Sequence, residues 1–310
     1  MLNIHFAPLQ GYTESVYRKL HAEIFSGIDF YYTPFLRLEK NALRRRDALD
    51  LGTPGDCRES FCLVPQIIAA NAEEFNRLVD FVCSKGFKRI DLNLGCPFPM
   101  QTKASRGAAL LQKPEIIQEI MNEVARRSDV EFSVKMRVGM ESSEEGLALL
   151  PILNEAKLSH VTMHPRLGIQ QYKGLVDMDA FERFYAGCSQ KLVYNGDIKT
   201  VEQIQELEAK FPKLCGVMIG RGLLANPCLA AEYKNGKAVS DDERLSLVLK
   251  MHSALLEKAK TTLQGDCQVL THVRSFWEYQ EEYLPKKIFK RIMKSGNLKN
   301  YEEAVDSLKH

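Results

Sequence analysis

Arg89-Ile90-Asp91-Leu92-Asn93-Leu94-Gly95-Cys96-Pro97 is the stretch on which the fold turns: a β-rich run over Arg89–Asn93 that stops in a glycine–cysteine–proline loop. An amphipathic segment, Glu73–Lys85, precedes it, and another, Pro114–Arg127, follows. Proline at the head of the second suits a first helical turn, where its missing N–H has no helical partner anyway. The next β-rich run, Glu131–Arg137, repeats the pattern. Strand, helix, strand in this order implies parallel strands joined by right-handed crossovers.

Working outward, the runs Ile4–Pro8, Phe30–Leu36, Leu63–Ile68, His160–His164, Leu192–Asn195 and Gly216–Ile219 also read as strands, and Val201–Lys210 as a helix. About eight strand–helix units in roughly 235 residues is the size of a (β/α)₈ TIM barrel. An open doubly wound sheet is the alternative and usually has fewer strands. The pattern changes at the polar break Lys234-Asn235-Gly236-Lys237. Beyond it Leu245–Lys260, Val269–Tyr283, Lys286–Lys294 and Tyr301–Leu308 read as helices. The expected organisation is therefore a catalytic barrel over residues 1–236 and a small all-helical C-terminal domain over 237–310.

Composition narrows the class. Hydrophobic residues are 45% and charged residues 26% of the 310, the balance of a soluble globular protein. No apolar run approaches the roughly 18 residues that cross a bilayer. The start, Met1-Leu2-Asn3-Ile4-His5, lacks the charged and apolar regions of a secretion signal. The eight cysteines include no CxxC pair, which speaks against a zinc site and a disulfide framework and for a reducing cytoplasm. Net charge is only +2, so composition alone does not suggest nucleic acid.

Chemistry in a barrel sits at the C-terminal ends of the strands. There this chain places Ala7-Pro8-Leu9-Gln10-Gly11, Gln66, Asn93-Leu94-Gly95-Cys96-Pro97, Lys135, His164-Pro165-Arg166, Asn195-Gly196-Asp197 and Gly220-Arg221-Gly222. Any one of these is unremarkable alone; together they describe the mouth of one cavity. Asn195–Asp197 and Gly220–Gly222 follow the last two strands, the usual phosphate site of the fold, where glycines let backbone N–H groups approach an anion. Lys135, inside a strand-like run, requires a partner or ligand. Gln66 and Asn93 offer amides suited to the edge of a flat heterocycle. Cys96 is either an acid, a nucleophile or a small buried hydrophobe.

This set resembles the tRNA-dihydrouridine synthase family over nearly the whole chain. The most specific parts are Asn93–Pro97 followed by Gly107-Ala108-Ala109-Leu110-Leu111. Val134-Lys135-Met136-Arg137-Val138-Gly139, His164, Asn195–Asp197 and Gly220–Gly222 recur in the family's order and spacing. The resemblance implies bound FMN, NADPH or NADH as reductant, and uridine in tRNA as substrate, with the likeness nearest to the subgroup acting on the D-loop near position 16. The expected enzyme is cytoplasmic, a monomer without metal or membrane anchor. FMN would lie with its phosphate at Asn195, Gly196, Asp197, Gly220 and Arg221, and its ring among Pro8, Leu9, Gln10, Gln66, Lys135 and His164. Asn93, Arg166, Arg37 and Arg274 would contact substrate. Hydride would pass to C6 of uracil and a proton from Cys96 to C5, since a thiol with a pKa near ~8.5 is mostly protonated at neutral pH. Leu9 and Glu14 stand where the family usually has methionine and aspartate, and the loop Phe98–Arg106 lacks the family's valine and extra glycines.

Two other classes compete. A dihydroorotate- or dihydropyrimidine-type FMN enzyme would share the barrel but need no helical domain. A non-catalytic RNA-binding protein would not need Lys135, His164 and Cys96 at one mouth. From Lys237 on there are 13 Lys+Arg against 11 Asp+Glu, leaving the barrel neutral at 29 against 29. RNA contact must then rest on clusters. These are Arg44-Arg45-Arg46, with Arg37 and Lys40 before it, and Lys287, Lys290, Arg291 and Lys294 on one helical face beside Lys286. Arg274, Trp277 and Tyr279 would either meet RNA or pack on the barrel.

Overall fold

The computed structural model describes residues 1–309 apart from 41, 53 and 55–61. Its strands are β1 (Asn3–Phe6), β2 (Phe30–Tyr32), β3 (Cys62–Val64 with Gln66–Ile67), β4 (Arg89–Leu94), β5 (Glu131–Gly139), β6 (Leu158–Leu167), β7 (Leu192–Asn195) and β8 (Leu214–Ile219). All pair in parallel, and β1 pairs both β2 and β8. The ring closes through β3. Pro65, which has no N–H to give a ladder, divides it. Cys62–Val64 pairs β2, while Gln66–Ile67 pairs β4. The expected TIM barrel is thus the observed one.

Local chemistry explains the helices around it. Asn71 caps Ala72–Ser84 by accepting from the Glu74 N–H at 2.9 Å. Pro114–Arg126 buries Ile117, Ile120, Met121 and Val124, a single stripe at helical spacing. Thr200 and Gln203 form a reciprocal capping box on Val201–Lys210.

Two expectations change. The run Phe30–Leu36 is a strand only to Tyr32. Pro34 interrupts the ladder, and the chain rejoins the sheet at a bridge between Leu36 and Ile67. A small antiparallel hairpin, Leu38–Glu39 with Ala42–Leu43, and a short helix Arg45–Leu51 then replace the usual crossover helix. The helix expected over Val269–Tyr283 stops at Arg274 and continues as 3₁₀ turns at Ser275–Trp277 and Glu281–Tyr283. That break turns Trp277 fully inward, where its indole N–H donates to the Tyr301 hydroxyl at 2.8 Å. Trp277 is core and offers no surface to RNA.

After β8 the described chain is helical. Leu229–Asn235 ends on Gly236, whose φ of +63° is the left-handed cap that glycine supplies freely. Asp241–Thr262 packs on Ser15–Ile24 beside the barrel. Its buried Val248, Met251 and Leu255 join the same apolar core as the barrel strands. No helix of the described residues is long and apolar enough to cross a membrane.

Candidate active site

The C-terminal ends of the strands open into a cavity of about 1360 Å³. Pro8, Leu9, Gln10, Arg37, Gln66, Asn93, Cys96, Lys135, His164, Arg166, Asn195, Gly196, Asp197, Gly220 and Arg221 all line it. Arg274 does not. It sits at the end of its helix, with its guanidinium donating to the Ser295 carbonyl at 3.3 Å.

The floor is a chain of hydrogen bonds with a fixed polarity. Asp91, fully buried, can only accept while ionised. It takes the Ser133 hydroxyl at 2.6 Å and the Gln66 amide N–H at 2.7 Å. The Gln66 carbonyl must then face the other way, and it accepts from Asn93 Nδ2 at 2.8 Å. Asn93 is left with its oxygen toward the loop, where it accepts the backbone N–H groups of Gly95 (3.0 Å) and Cys96 (2.9 Å). Arg137 holds the same loop from the other side, donating to the Gly95 carbonyl at 2.9 Å and the Leu167 carbonyl at 2.8 Å. Gly107 completes the support. It has φ +62°, and a Cβ there would lie 2.6 Å from the Cys96 carbonyl oxygen, which accepts from the Ala108 N–H. The family-like Gly107-Ala108 motif is therefore the seat of the Cys96 loop.

Burial pushes the Cys96 thiol above its ordinary pKa, against the opposing fields of Arg137, Lys135 and Arg37. The thiol is protonated at neutral pH. Lys135 moves down to about 8, chiefly through burial and then the Arg137 charge, with Asp91 pulling the other way. Among the described residues Lys135 makes no ion pair or hydrogen bond, so a cation stands in the cavity without a counter-charge in contact. His164 is driven far below its ordinary value by burial and by the cations around it, and is neutral. Arg166 lies 3.2 Å from its Nε2. A guanidinium only donates, so Nε2 accepts and the imidazole proton is on Nδ1.

Arg166 is buried and largely committed. It grips Asp197 with two nitrogens and donates to the Gly174 carbonyl at 2.7 Å, leaving its Nε without a partner. Asp197, at the left-handed φ of 44°, also accepts from Arg221 at 2.9 Å. Arg221 remains partly exposed over the cavity. Asn195 Nδ2 donates to the Met218 carbonyl at 2.7 Å, tying the ends of β7 and β8 together. A Cβ on Gly222 would fall 2.1 Å from the Ile198 carbonyl oxygen, so only glycine allows this approach.

Sequence reading did not assign roles to Asp91, Ser133, Arg137 or Tyr172. The first three carried a signal, because residues two apart in a strand share a face. Asp91 shares Asn93's face; Ser133 and Arg137 share Lys135's. Tyr172 carried none; it lies between the guanidiniums of Arg137 (5.5 Å) and Arg221 (5.2 Å). The cavity is lined by eight Lys or Arg side chains against four carboxylates, so it favours an anion. Three of those carboxylates, Glu278, Glu281 and Glu282, come from one turn region of the helical segment. Glu278 accepts from the Tyr12 hydroxyl, and Glu282 pairs with Lys199 at 3.5 Å.

The fold and site together define a barrel enzyme with a deep cationic cavity and a buried, protonated thiol at its floor. Similarity to known proteins sharpens that class. The model of the dihydrouridine synthase (Dus) family matches residues 5–309, and the chain belongs to that family. It is 28% identical over 251 residues to a tRNA-dihydrouridine(16) synthase of Aquipseudomonas alcaligenes, covering 79% of each chain. It is 24% identical to tRNA-dihydrouridine synthase B of Vibrio parahaemolyticus, over 98% of this chain and 88% of that one. A human tRNA-dihydrouridine(20a/20b) synthase [NAD(P)+]-like protein is 28% identical over 74% of this chain and 70% of its own. Among solved structures, morphinone reductase superposes with a TM-score of 0.55 at 10% identity, covering 77% of this chain and 87% of that one, a likeness of fold alone.

Proposed function

We propose that the chain reduces the 5,6 double bond of a uridine in tRNA to dihydrouridine, using FMN bound in the cavity and NADPH or NADH as reductant. The observation that carries this reading is the meeting of an uncompensated cation, Lys135, and a protonated thiol, Cys96, above one polar floor. Family membership and the names of the relatives support the tRNA substrate. The residues present fit a flavin. Lys135 would face the negative charge of its reduced ring, and the His164 Nδ1–H is available as a donor. Arg221 has guanidinium N–H groups beyond the one given to Asp197, and these suit a phosphate. Pro8, Leu9 and Gln10 would bound the ring, with Gln66 beneath, and Asn195, Gly196 and Gly220 would bring backbone to the phosphate. When bound, FMN supplies the hydride that uracil receives at C6.

The chain's own part is to place and finish that transfer. Asn93 has one amide N–H left after its bond to Gln66, and this is the group it would show to uracil. Arg37 and Arg137 supply positive field where charge builds on the pyrimidine. Cys96 delivers the proton to C5, and the fields of Arg137 and Lys135 then favour the thiolate it leaves. Arg166 acts mainly by holding His164 and Asp197. Arg274 would reach RNA outside the cavity.

In this reading residues 1–236 are the catalytic domain and 237–310 a helical domain that helps grip tRNA near its D-loop, at or near position 16, in a cytoplasmic monomer. The test is direct. Purified protein should be yellow and release FMN, and with NADPH it should form dihydrouridine in tRNA taken from cells lacking the gene. Mass-spectrometric mapping of that tRNA identifies the uridine. Reduction of free pyrimidines but not of tRNA would support a dihydropyrimidine-type enzyme, and a colourless protein would remove the flavin.

A further inference from the structure

Two loops at the cavity mouth carry five of the seven large apolar side chains that stand exposed among the described residues. The large apolar side chains that stand exposed include Phe98 (49%) and Met100 (69%) after β4, and Ile169, Tyr172 and Leu175 after β6; elsewhere only Met1 and Leu49 do so among the described residues. The two loops touch, with the Phe98 and Tyr172 rings 6.4 Å apart. Phe98 and Met100 both line the cavity. Single exposed apolar residues are ordinary, but a group of them at a functional mouth marks a contact surface.

The backbone holds Phe98 there deliberately. It stands in Pro97-Phe98-Pro99, two residues beyond Cys96. Pro97 is buried and Pro99 opens the short helix Pro99–Thr102. A residue before proline is confined to extended conformations, and Phe98 has φ −68° and ψ 135°. Its carbonyl accepts the N–H groups of Gln101 (2.8 Å) and Thr102 (3.0 Å). The ring is therefore presented outward on a stiff backbone mount, which has little conformational entropy of its own left to lose on contact. Cations outnumber carboxylates around the same mouth, which selects among occupants. An apolar polypeptide gains nothing from guanidiniums, whereas unpaired nucleotides offer flat bases to the rings and phosphates to the charges.

We propose that Phe98, with Met100 beside it, is a wedge for RNA. It stacks on the base neighbouring the uridine that enters the cavity and fills the gap which that uridine leaves. Enzymes that act on a base must take it out of its stack, and an apolar side chain inserted at a base step is one way to hold the opened form. This proposal rests on the reading of the chain as a tRNA-reducing enzyme and adds to it the surface that opens the substrate.

The experiment compares Phe98→Ala, Met100→Ala and Phe98→Trp with the wild type, each as the FMN-loaded protein. The primary readout is kcat/KM for dihydrouridine formation in a folded tRNA transcript. Alkylation of Cys96 by iodoacetamide and flavin reduction by NADPH report separately on the loop and the cofactor. Loss of a stacking ring should lower kcat/KM roughly ten- to hundredfold in Phe98→Ala. Phe98→Trp should keep most of it, and Cys96 alkylation should be unchanged in both. Wild-type kcat/KM in Phe98→Ala, or no recovery in Phe98→Trp, overturns the wedge while leaving dihydrouridine synthesis standing. So does a wild-type dimer that Phe98→Ala dissolves, since the patch would then belong to a second copy. A wild type that forms no dihydrouridine in any tRNA refutes the functional reading itself, and the wedge with it.

Discussion

Asp91 gives the sharpest quantitative test of the site's construction. It is fully buried, and burial raises its carboxyl from the ordinary 3.8 to about 6 despite the bonds from Ser133 and Gln66 and the field of Lys135. A group whose folded pKa lies above its unfolded one stabilises fully only below the unfolded value, and that stability is lost as pH rises through the folded value. Burying Asp91 thus costs about 2 kcal/mol at pH ~5, where it is held protonated, and about 3 kcal/mol at pH ~7.5, where it is ionised, a difference of roughly 1 kcal/mol. Asp91→Asn removes the charge but keeps the polarity of the chain. Its oxygen can accept from Gln66 while its amide donates to the Ser133 hydroxyl, which can accept as readily as donate. The advantage of Asp91→Asn over wild type should therefore grow by roughly 2 °C in Tm between these two pH values. Asp91→Leu instead leaves the Gln66 and Ser133 donors unsatisfied, at about 1–3 kcal/mol each. With the polarity of Gln66 and Asn93 no longer set, the Cys96 loop should loosen and iodoacetamide should label Cys96 faster. Differential scanning fluorimetry across pH and timed alkylation measure both. A Tm difference between Asp91→Asn and wild type that stays flat over this range would show that Asp91 carries no such cost, and wild-type labelling in Asp91→Leu would show that it does not set the loop.

Further outcomes follow from the same geometry. Cys96→Ala should retain FMN and NADPH-dependent flavin reduction, yet lose about 10²–10⁴-fold in tRNA reduction, measured as dihydrouridine per turnover. Arg221→Ala should lower flavin content after dialysis, because a charge-assisted contact to phosphate is lost; full retention would leave the phosphate to backbone amides. The helix Lys286–Lys294 exposes Lys287, Lys290, Arg291 and Lys294 and buries Phe289 and Ile292. Changing those four cations to alanine should weaken tRNA binding and flatten its dependence on salt, with FMN unchanged, since fewer counterions are released. An unchanged slope would direct attention to Arg44, Arg45 and Arg46.

Much of the barrel was legible because each strand–helix unit declares itself locally. Leu192–Asn195 and Val201–Lys210 have the bounds that their residue patterns suggest, and apart from the runs broken at Pro34 and Pro65 the other strands differ only at their ends. What was not legible depends on partners distant in sequence. Leu63–Ile68 reads as one strand, and only closure of the ring makes Pro65 the joint where β3 changes neighbours. The helix expected through Tyr283 breaks because Trp277 is recruited by Tyr301, 24 residues away. The site followed the same division. Gln66, Asn93, Cys96 and Lys135 stood out at strand ends, whereas Asp91 and Ser133 lie two residues deeper, where a polar residue resembles a satisfied core group until its partners are known.

Charge shows the same limit and bears on how the substrate is met. The chain's +2 hides a strong local imbalance, because most of the cavity's cations come from the strand loops and three of its four carboxylates from Glu278–Glu282. Two of those carboxylates are engaged: Glu278 accepts from Tyr12, and Glu282 pairs with Lys199. They stand at the barrel mouth, and they are followed within four residues by the basic face that begins at Lys286. Neutralising Glu282 therefore separates two roles. Glu282→Gln removes one negative charge at the cationic cavity edge and should strengthen tRNA binding slightly, by less than about 1 kcal/mol, because the Lys199 pair is exposed and such pairs contribute little. If the pair were instead a principal tie between helices and barrel, Glu282→Gln would lower Tm and weaken tRNA binding together. Measuring both quantities in one variant decides between an electrostatic fence at the cavity edge and a structural latch.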